Sequence, residues 1–119
     1  QLIRELLPKL QESAEAGRSP FVLSLSGVIS EKPMAGLASY SASKTALYGY
    51  SLAAAKEFRK LGISWVDARP GHSETGLAGR AIYGSAPNFG KGLEPEVVVE
   101  RILRGIQNSE TDFPSSSFS

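Results

Sequence analysis

The chain has 119 residues, 41% of them hydrophobic and 21% charged, with 12 Gly, 7 Pro and no Cys. Thirteen Lys and Arg against twelve Asp and Glu leave a formal charge of +1, with no charge run to signal a nucleic-acid or anionic-membrane surface. The lack of Cys excludes disulfides and thiolate metal sites, and no apolar run approaches the ~20 residues that a membrane span requires. A soluble, cytoplasmic protein without a metal site is therefore expected, of a length that suits one domain. The chain begins at Gln1 and its single Met is Met34, so further residues are expected upstream.

Residues 2–10 place Leu2, Ile3, Leu6, Leu7 and Leu10 on one helical face, with Arg4, Glu5 and Lys9 opposite. Pro8 costs about 3 kcal/mol inside an isolated helix, so a kink or a helix held by packing is expected. Residues 16–20 read as a turn. Phe21 to Ser26 is a short apolar run with β-branched and aromatic content, hence a buried strand. Residues 27–36 are loop-like. From Ser39 to Arg59 the pattern turns helical, with Ala42, Ala46, Tyr50, Ala53 and Ala54 along one stripe, and Leu61-Gly62 supplies a stop.

Ile63 to Ala68 forms a second predicted strand, ended by Pro70-Gly71. The stretch 70–92 is broken by Gly and Pro and is longer than most connections, which marks a lid or binding loop. Pro95 stands at a first helical position and opens a helix through Val98, Ile102 and Ile106. The tail from Asp112 is polar and Ser-rich, with Phe113 and Phe118 as anchors and a third strand as one option. Strands alternating with long helices imply an α/β fold with a parallel sheet, whose sites lie at the carboxyl ends of the strands. The loops after Ser26 and Ala68 are the ones to search.

Tyr40-Ser41-Ala42-Ser43-Lys44 sets a phenol and an ammonium four residues apart, on one face near a helix start. A phenol with its ordinary pKa near 10 is a poor acid–base catalyst at neutral pH. A nearby cation and a helix N-terminus both favour its charged form. Tyr40 could then exchange a proton with a carbonyl or alcohol oxygen. His72, the single histidine, reads as a solvated loop residue. Asp67 reads as a structural hydrogen-bonder at a strand end, and Arg69, Arg80 and Lys91 as solvated charges.

The strand 22–27, then Tyr40 to Lys44 on an Ala-rich helix, then the strand 63–68, then Arg69-Pro70-Gly71-His72-Ser73-Glu74-Thr75, closely resembles the short-chain dehydrogenase/reductase family. The resemblance covers nearly the whole chain, most firmly 21–75. It implies a partial Rossmann-like parallel sheet with flanking helices, the carboxyl-terminal half of a doubly wound fold. It also implies a nicotinamide-dependent oxidoreductase that interconverts an alcohol and a ketone, with NAD or NADP as cofactor. By the resemblance, Tyr40 is the general acid–base, and Lys44 lowers the tyrosine pKa and binds the nicotinamide ribose. Pro70, Gly71, Ser73 and Thr75 line the nicotinamide.

Two positions depart from the family pattern. Its catalytic serine usually stands where this chain has Gly27, with Ser26 one residue earlier and Ser30 further along the same loop. Either Ser26 is re-aimed by the flexible Gly27 or the serine role is lost, and Ser26 is the favoured reading. Ser73 stands where the family usually carries an aliphatic residue. The glycine-rich phosphate-binding turn that follows the first strand of such folds is not found in this sequence, nor is the residue that selects NAD or NADP. A division follows: 1–20 helix and turn, 21–75 catalytic core, 76–92 substrate lid and 93–119 terminal helix and tail. The edge of the strand at 21–26 is expected to lie bare, and the isolated chain to be marginal and inactive. By the resemblance, the helices at 2–10 and 39–59 form a homodimer interface. A small-molecule substrate is expected, with no nucleic-acid or membrane partner. The alternative is a non-catalytic binding or dimerisation module, or an inert fragment.

Overall fold

A computed structural model describes residues 1–74, 78–80, 82, 84, 85 and 87–119. Helix α1 spans Leu2–Glu15, strand β1 Phe21–Leu25, helix α2 Ala38–Arg59, strand β2 Ser64–Ala68, helix α3 Pro95–Gln107 and strand β3 Asp112–Phe113. The strands form one parallel sheet in the order β1-β2-β3, with Phe21 opposite Ser64, Leu25 opposite Ala68, and Ala68 opposite Phe113. This is the mixed α/β arrangement with a parallel sheet that the alternating pattern predicts, and it matches the Rossmann-like fold that the resemblance implies.

Period-2 alternation sends side chains of each strand to opposite faces, and each face has its own core. On one, Trp65 and Val22 pack with Ala54, Phe58 and Ile63, and with Ile3, Leu7 and Leu10 of α1. On the other, Val66 and Ala68 pack with Val98 and Ile102 of α3 and with Phe113 and Phe118 of the tail. The two aromatic anchors of the tail are both buried, and β3, only two residues long, exists because Phe113 is drawn into this core. Gly105 of α3 leaves the space that the Phe113 ring occupies.

Helix α1 runs unbroken through Pro8 and five residues past its predicted end, yet it contains no buried residue. It is held by packing on one side only, which tolerates the proline. The predicted small-residue stripe of α2 is also corrected. Ala42, Ala46, Tyr50 and Ala53 face outward, while Ser41, Ser51, Ala54 and Phe58 are buried. The reason is polar: Ser51 reaches a hydrogen-bond partner on the sheet, which a hydrophobicity pattern does not count.

Ser64 N–H donates to the carbonyl of Pro20 at 3.1 Å, so the alternate backbone groups of Phe21, Leu23 and Leu25 point to the outer edge of β1. Their side chains are exposed as well. The radius of gyration is 15.8 Å, against about 13.5 Å for a compact domain of this length. The excess fits a sheet whose β1 edge and adjoining face lie open.

Candidate active site

The carboxyl ends of β1 and β2 carry the loops that the sequence singles out, and backbone bonds join them. Gly27 N–H donates to Ala68 O at 3.2 Å, and Val28 N–H donates to Pro70 O at 2.9 Å. A 3-10 turn at Val28–Ser30 follows. Helix α2 begins beside it, with the backbone N–H of Met34 bonded to Ser41 Oγ at 3.2 Å. Tyr40 therefore sits in the first turn of α2, at the sheet end where parallel α/β folds place their sites.

Tyr40 is 47% exposed. Lys44, one turn on, holds its Nζ 5.9 Å from the centroid of the Tyr40 ring. The same ammonium donates to the carbonyl of Leu25 at 2.8 Å, on the outer edge of β1. Tyr40 and Lys44 are thus together, accessible, and tied to the end of the first strand.

The serines behave differently. Ser26 is fully buried, at 0% exposure. Its hydroxyl donates to Asp67 Oδ1 at 2.7 Å, so it is turned inward to Asp67 and is not re-aimed toward the open site. Gly27 adopts φ 78 and ψ 163, a combination that side chains strongly disfavour. The backbone here is shaped around a glycine. Ser30 bonds back to Gly27 O at 2.6 Å.

Beneath the site lies a buried polar network. Asp67 accepts from Ser24 through Oδ2 at 2.7 Å, and from Ser26 and Arg69 through Oδ1 at 2.7 and 2.8 Å. Ser24 also accepts from the Trp65 indole N–H at 3.1 Å and lies 2.9 Å from the Ser51 hydroxyl of α2. The structural role read for Asp67 fits this geometry. Arg69 does not fit the solvated reading: it is 3% exposed and pairs with Glu31 at 2.6 Å, Asp67 at 2.8 Å and Asp112 at 2.8 Å. Its guanidinium lies 4.3 Å over the Tyr48 ring. Burying a cation without partners is prohibitive, and three carboxylates and an aromatic face make it possible.

Burial alone would oppose the charge on both sides of this cluster, and hydrogen bonds outweigh it. The Glu31 carboxyl is held below its ordinary value by Ser115 and Arg69. The Arg69 guanidinium is pushed further up by Glu31, Asp112 and Asp67. No sequence signal within one segment finds Arg69, because its partners come from the loop after β1, from β2 and from β3.

Pro70 and Gly71 follow directly and are partly buried. Ser73 forms an isolated parallel bridge with Leu93, which brings the two ends of the 74–92 loop together. His72 is not freely solvated: its ring stacks on Phe89 at 4.9 Å between centroids, and Nε2 lies 3.8 Å from Glu74. Ile82 is fully exposed. Thr75 and Tyr83 lie outside the described residues. Among the described residues, no helix is long and apolar enough to cross a membrane.

Residues 1–83 match the family model described as short chain dehydrogenase. The chain belongs to that family. Ipsdienol dehydrogenase of Ips pini is 34% identical over 68 residues, which make up 57% of this chain and 27% of that protein. Two solved structures share the fold at 23% identity. One is a 3-ketoacyl-(acyl-carrier-protein) reductase from Brucella melitensis complexed with NADH, with a TM-score of 0.80 over 94% of this chain. The other is a short-chain dehydrogenase from Streptomyces avermitilis, with a TM-score of 0.71 over 98% of this chain. The short-chain dehydrogenase chain spans 48% of each of those two structures.

Proposed function

We propose that these residues form the proton-transfer half of a nicotinamide-dependent oxidoreductase that interconverts an alcohol and a ketone. The observation that carries the reading is the Tyr40–Lys44 pair, exposed at the start of α2 and at the carboxyl end of β1. Family membership and the NADH bound to the Brucella melitensis structure support it.

The residues present fit the nicotinamide end of such a cofactor and not its pyrophosphate. Lys44 Nζ has donors to spare beyond its bond to Leu25 O, and Pro70 and Gly71 stand at the end of β2. By contrast, among the described residues no glycine-rich strand-to-helix turn offers phosphates the backbone N–H groups that they need. Tyr40 and Lys44 would hold the ribose, with Pro70, Gly71, Ser73 and Thr75 along the nicotinamide, which when bound supplies or accepts the hydride as either NAD or NADP. Tyr40 gives its phenolic proton to the ketone oxygen in reduction and takes it back in oxidation. The Lys44 ammonium supplies the positive charge that offsets the phenolate left behind. With Ser26 donating to Asp67, this reading assigns polarisation of the carbonyl to Tyr40 without Ser26.

The division into a 21–75 core, a 76–92 lid and a 93–119 terminal segment belongs to the same reading, as does a cytoplasmic setting. So does a homodimer through residues 2–10 and 39–59, where Leu2, Leu6, Tyr50 and Leu52 are exposed. The chain on its own is inactive in this reading, because it lacks a phosphate grip. Calorimetry with NADH and NADPH checks that point, and tight binding by the isolated chain would overturn it.

The glycine at position 27, with Ser26 turned inward, favours a second reading: a family member that binds or dimerises without turning over. Turnover of simple ketones by a protein containing these residues and a dinucleotide-binding half separates the two. Loss of that turnover in Tyr40→Phe then assigns the proton to Tyr40.

A further inference from the structure

We propose that Arg69 is a positioning residue, which sets helix α2, and with it Tyr40 and Lys44, against the two loops that border them. The proposal rests on the function proposed above for the Tyr40–Lys44 pair, but its geometry does not depend on turnover. Tyr40, Lys44 and Tyr48 follow one another at intervals of four along one face of α2. The guanidinium of Arg69 lies 4.3 Å over the Tyr48 ring, which is one turn beyond Lys44. Its three nitrogens reach in three directions. Nε takes Glu31 at 2.6 Å, Nη1 takes Asp67 at 2.8 Å and Nη2 takes Asp112 at 2.8 Å.

Each partner anchors a different part of the site. Glu31 follows the 3-10 turn that contains Ser30, and its own N–H is bonded to Val28 O at 2.9 Å. Through Ser115 Oγ at 2.6 Å it also fixes the tail. Asp67 holds Ser24 of β1 and Ser26, which directly follows that strand. Asp112 opens β3, and the backbone N–H of Arg69 donates to Phe113 O at 2.9 Å. Arg69 also immediately precedes Pro70-Gly71. One rigid planar fork thus joins α2 to the loop after β1, to β2 and to β3, and only a guanidinium has the donor geometry to do so.

Removing the fork leaves three carboxylates facing a vacated space. Their mutual repulsion moves the loop after β1, which carries Glu31, away from β2 and β3, and the Tyr48 ring of α2 loses its seat. The contact that registers the loosening is the 2.8 Å bond from Lys44 Nζ, one turn before Tyr48, to Leu25 O, where that loop begins.

The test is nuclear magnetic resonance on the full chain, with lysine labelled with nitrogen-15 and leucine labelled at its carbonyl carbon. The Lys44 ammonium is assigned through Lys44→Met, and its coupling to the Leu25 carbonyl and its contacts with the Tyr40 ring are followed. Arg69→Met is expected to stay folded, to lose the Lys44–Leu25 coupling and to weaken the Tyr40–Lys44 contacts. Arg69→Lys cannot span three carboxylates and is expected to show the same loss. Tyr48→Leu keeps every ion pair, removes only the seat on α2, and is expected to weaken both signals. Asp112→Asn, which removes one exposed arm, is expected to leave them unchanged.

If Arg69→Met is folded with both signals intact, the proposal is overturned and Arg69 serves stability alone. If Arg69→Met fails to fold, Tyr48→Leu decides: unchanged Lys44 signals in that variant equally overturn it. No arm reads turnover, so a catalytically inert chain leaves this test valid, and a failed test leaves the role of Tyr40 standing.

Discussion

Replacing Asp67 with Ala removes the acceptor on which Ser24, Ser26 and Arg69 converge, and the size of the loss follows from what each donor does next. Ser24 can turn to Val66 O, already 3.3 Å away. Ser26 is fully buried, and its hydroxyl loses the Asp67 Oδ1 acceptor. Arg69 keeps Glu31 and Asp112, so its charge is under-compensated and not orphaned. Breaking a buried ion pair from one side costs about 3–5 kcal/mol, and a buried donor without a partner costs about 1–3 kcal/mol. The surviving partners put Asp67→Ala near the lower end, about 3 kcal/mol. That is a large fraction of the roughly 5–15 kcal/mol that holds a domain together. Urea unfolding followed by the fluorescence of Trp65 is the assay. Trp65 is the single tryptophan, and its indole N–H is bonded to Ser24 within the same network. Asp67→Asn, which keeps the shape and one acceptor, should lose less. A loss under about 1 kcal/mol for Asp67→Ala, the value of an ordinary exposed pair, would refute the network as a load carried by the interior.

Three further outcomes follow from particular positions. Gly27→Ser places a side chain at φ 78 and should lower the thermal midpoint, at a cost of about 1–3 kcal/mol; an unchanged midpoint contradicts the glycine-shaped turn. Gly105→Ala sets a methyl against the fully buried Phe113 ring. Overpacking of about 1–3 kcal/mol outweighs the gain of up to about 1 kcal/mol in helix propensity, so calorimetry should show a lowered midpoint, and a raised one is contrary. Glu31 has its folded pKa below the ordinary 4.5. Its contribution is therefore present above that value and is lost as pH falls through the folded one. Urea midpoints from neutral pH down to about pH 3 should decline less steeply in Glu31→Gln than in the native chain.

The main elements were legible because their signals are local. Phe21 to Leu25 and Ser64 to Ala68 are short apolar runs closed by Gly or Pro, and Pro95 marks the start of α3. The Tyr40–Lys44 pair was legible for the same reason, being one helical turn. What the sequence concealed is long-range and polar. Arg69 follows a strand, where a charge ordinarily reaches solvent, and nothing nearby announces that Glu31 and Asp112 will enclose it. The alanine stripe of α2 pointed to the wrong face: Ser51 bonds to Ser24 of the sheet and Ser41 to the backbone of Met34, and that polar side is the buried one. Ser26 was open to two readings until Asp67 stood opposite it. Only two residues of β3 pair with β2, fewer than any periodicity can show.

The account's central claim is that Tyr40 moves the proton. Its most direct test is hydride transfer from NADH or NADPH to a panel of simple ketones, by a protein that joins these residues to a dinucleotide-binding half, with and without Tyr40→Phe. The account predicts turnover in the native protein, a fall of about 100-fold or more in kcat in the variant, and little change in KM for the nucleotide. Turnover that survives Tyr40→Phe undiminished would contradict it.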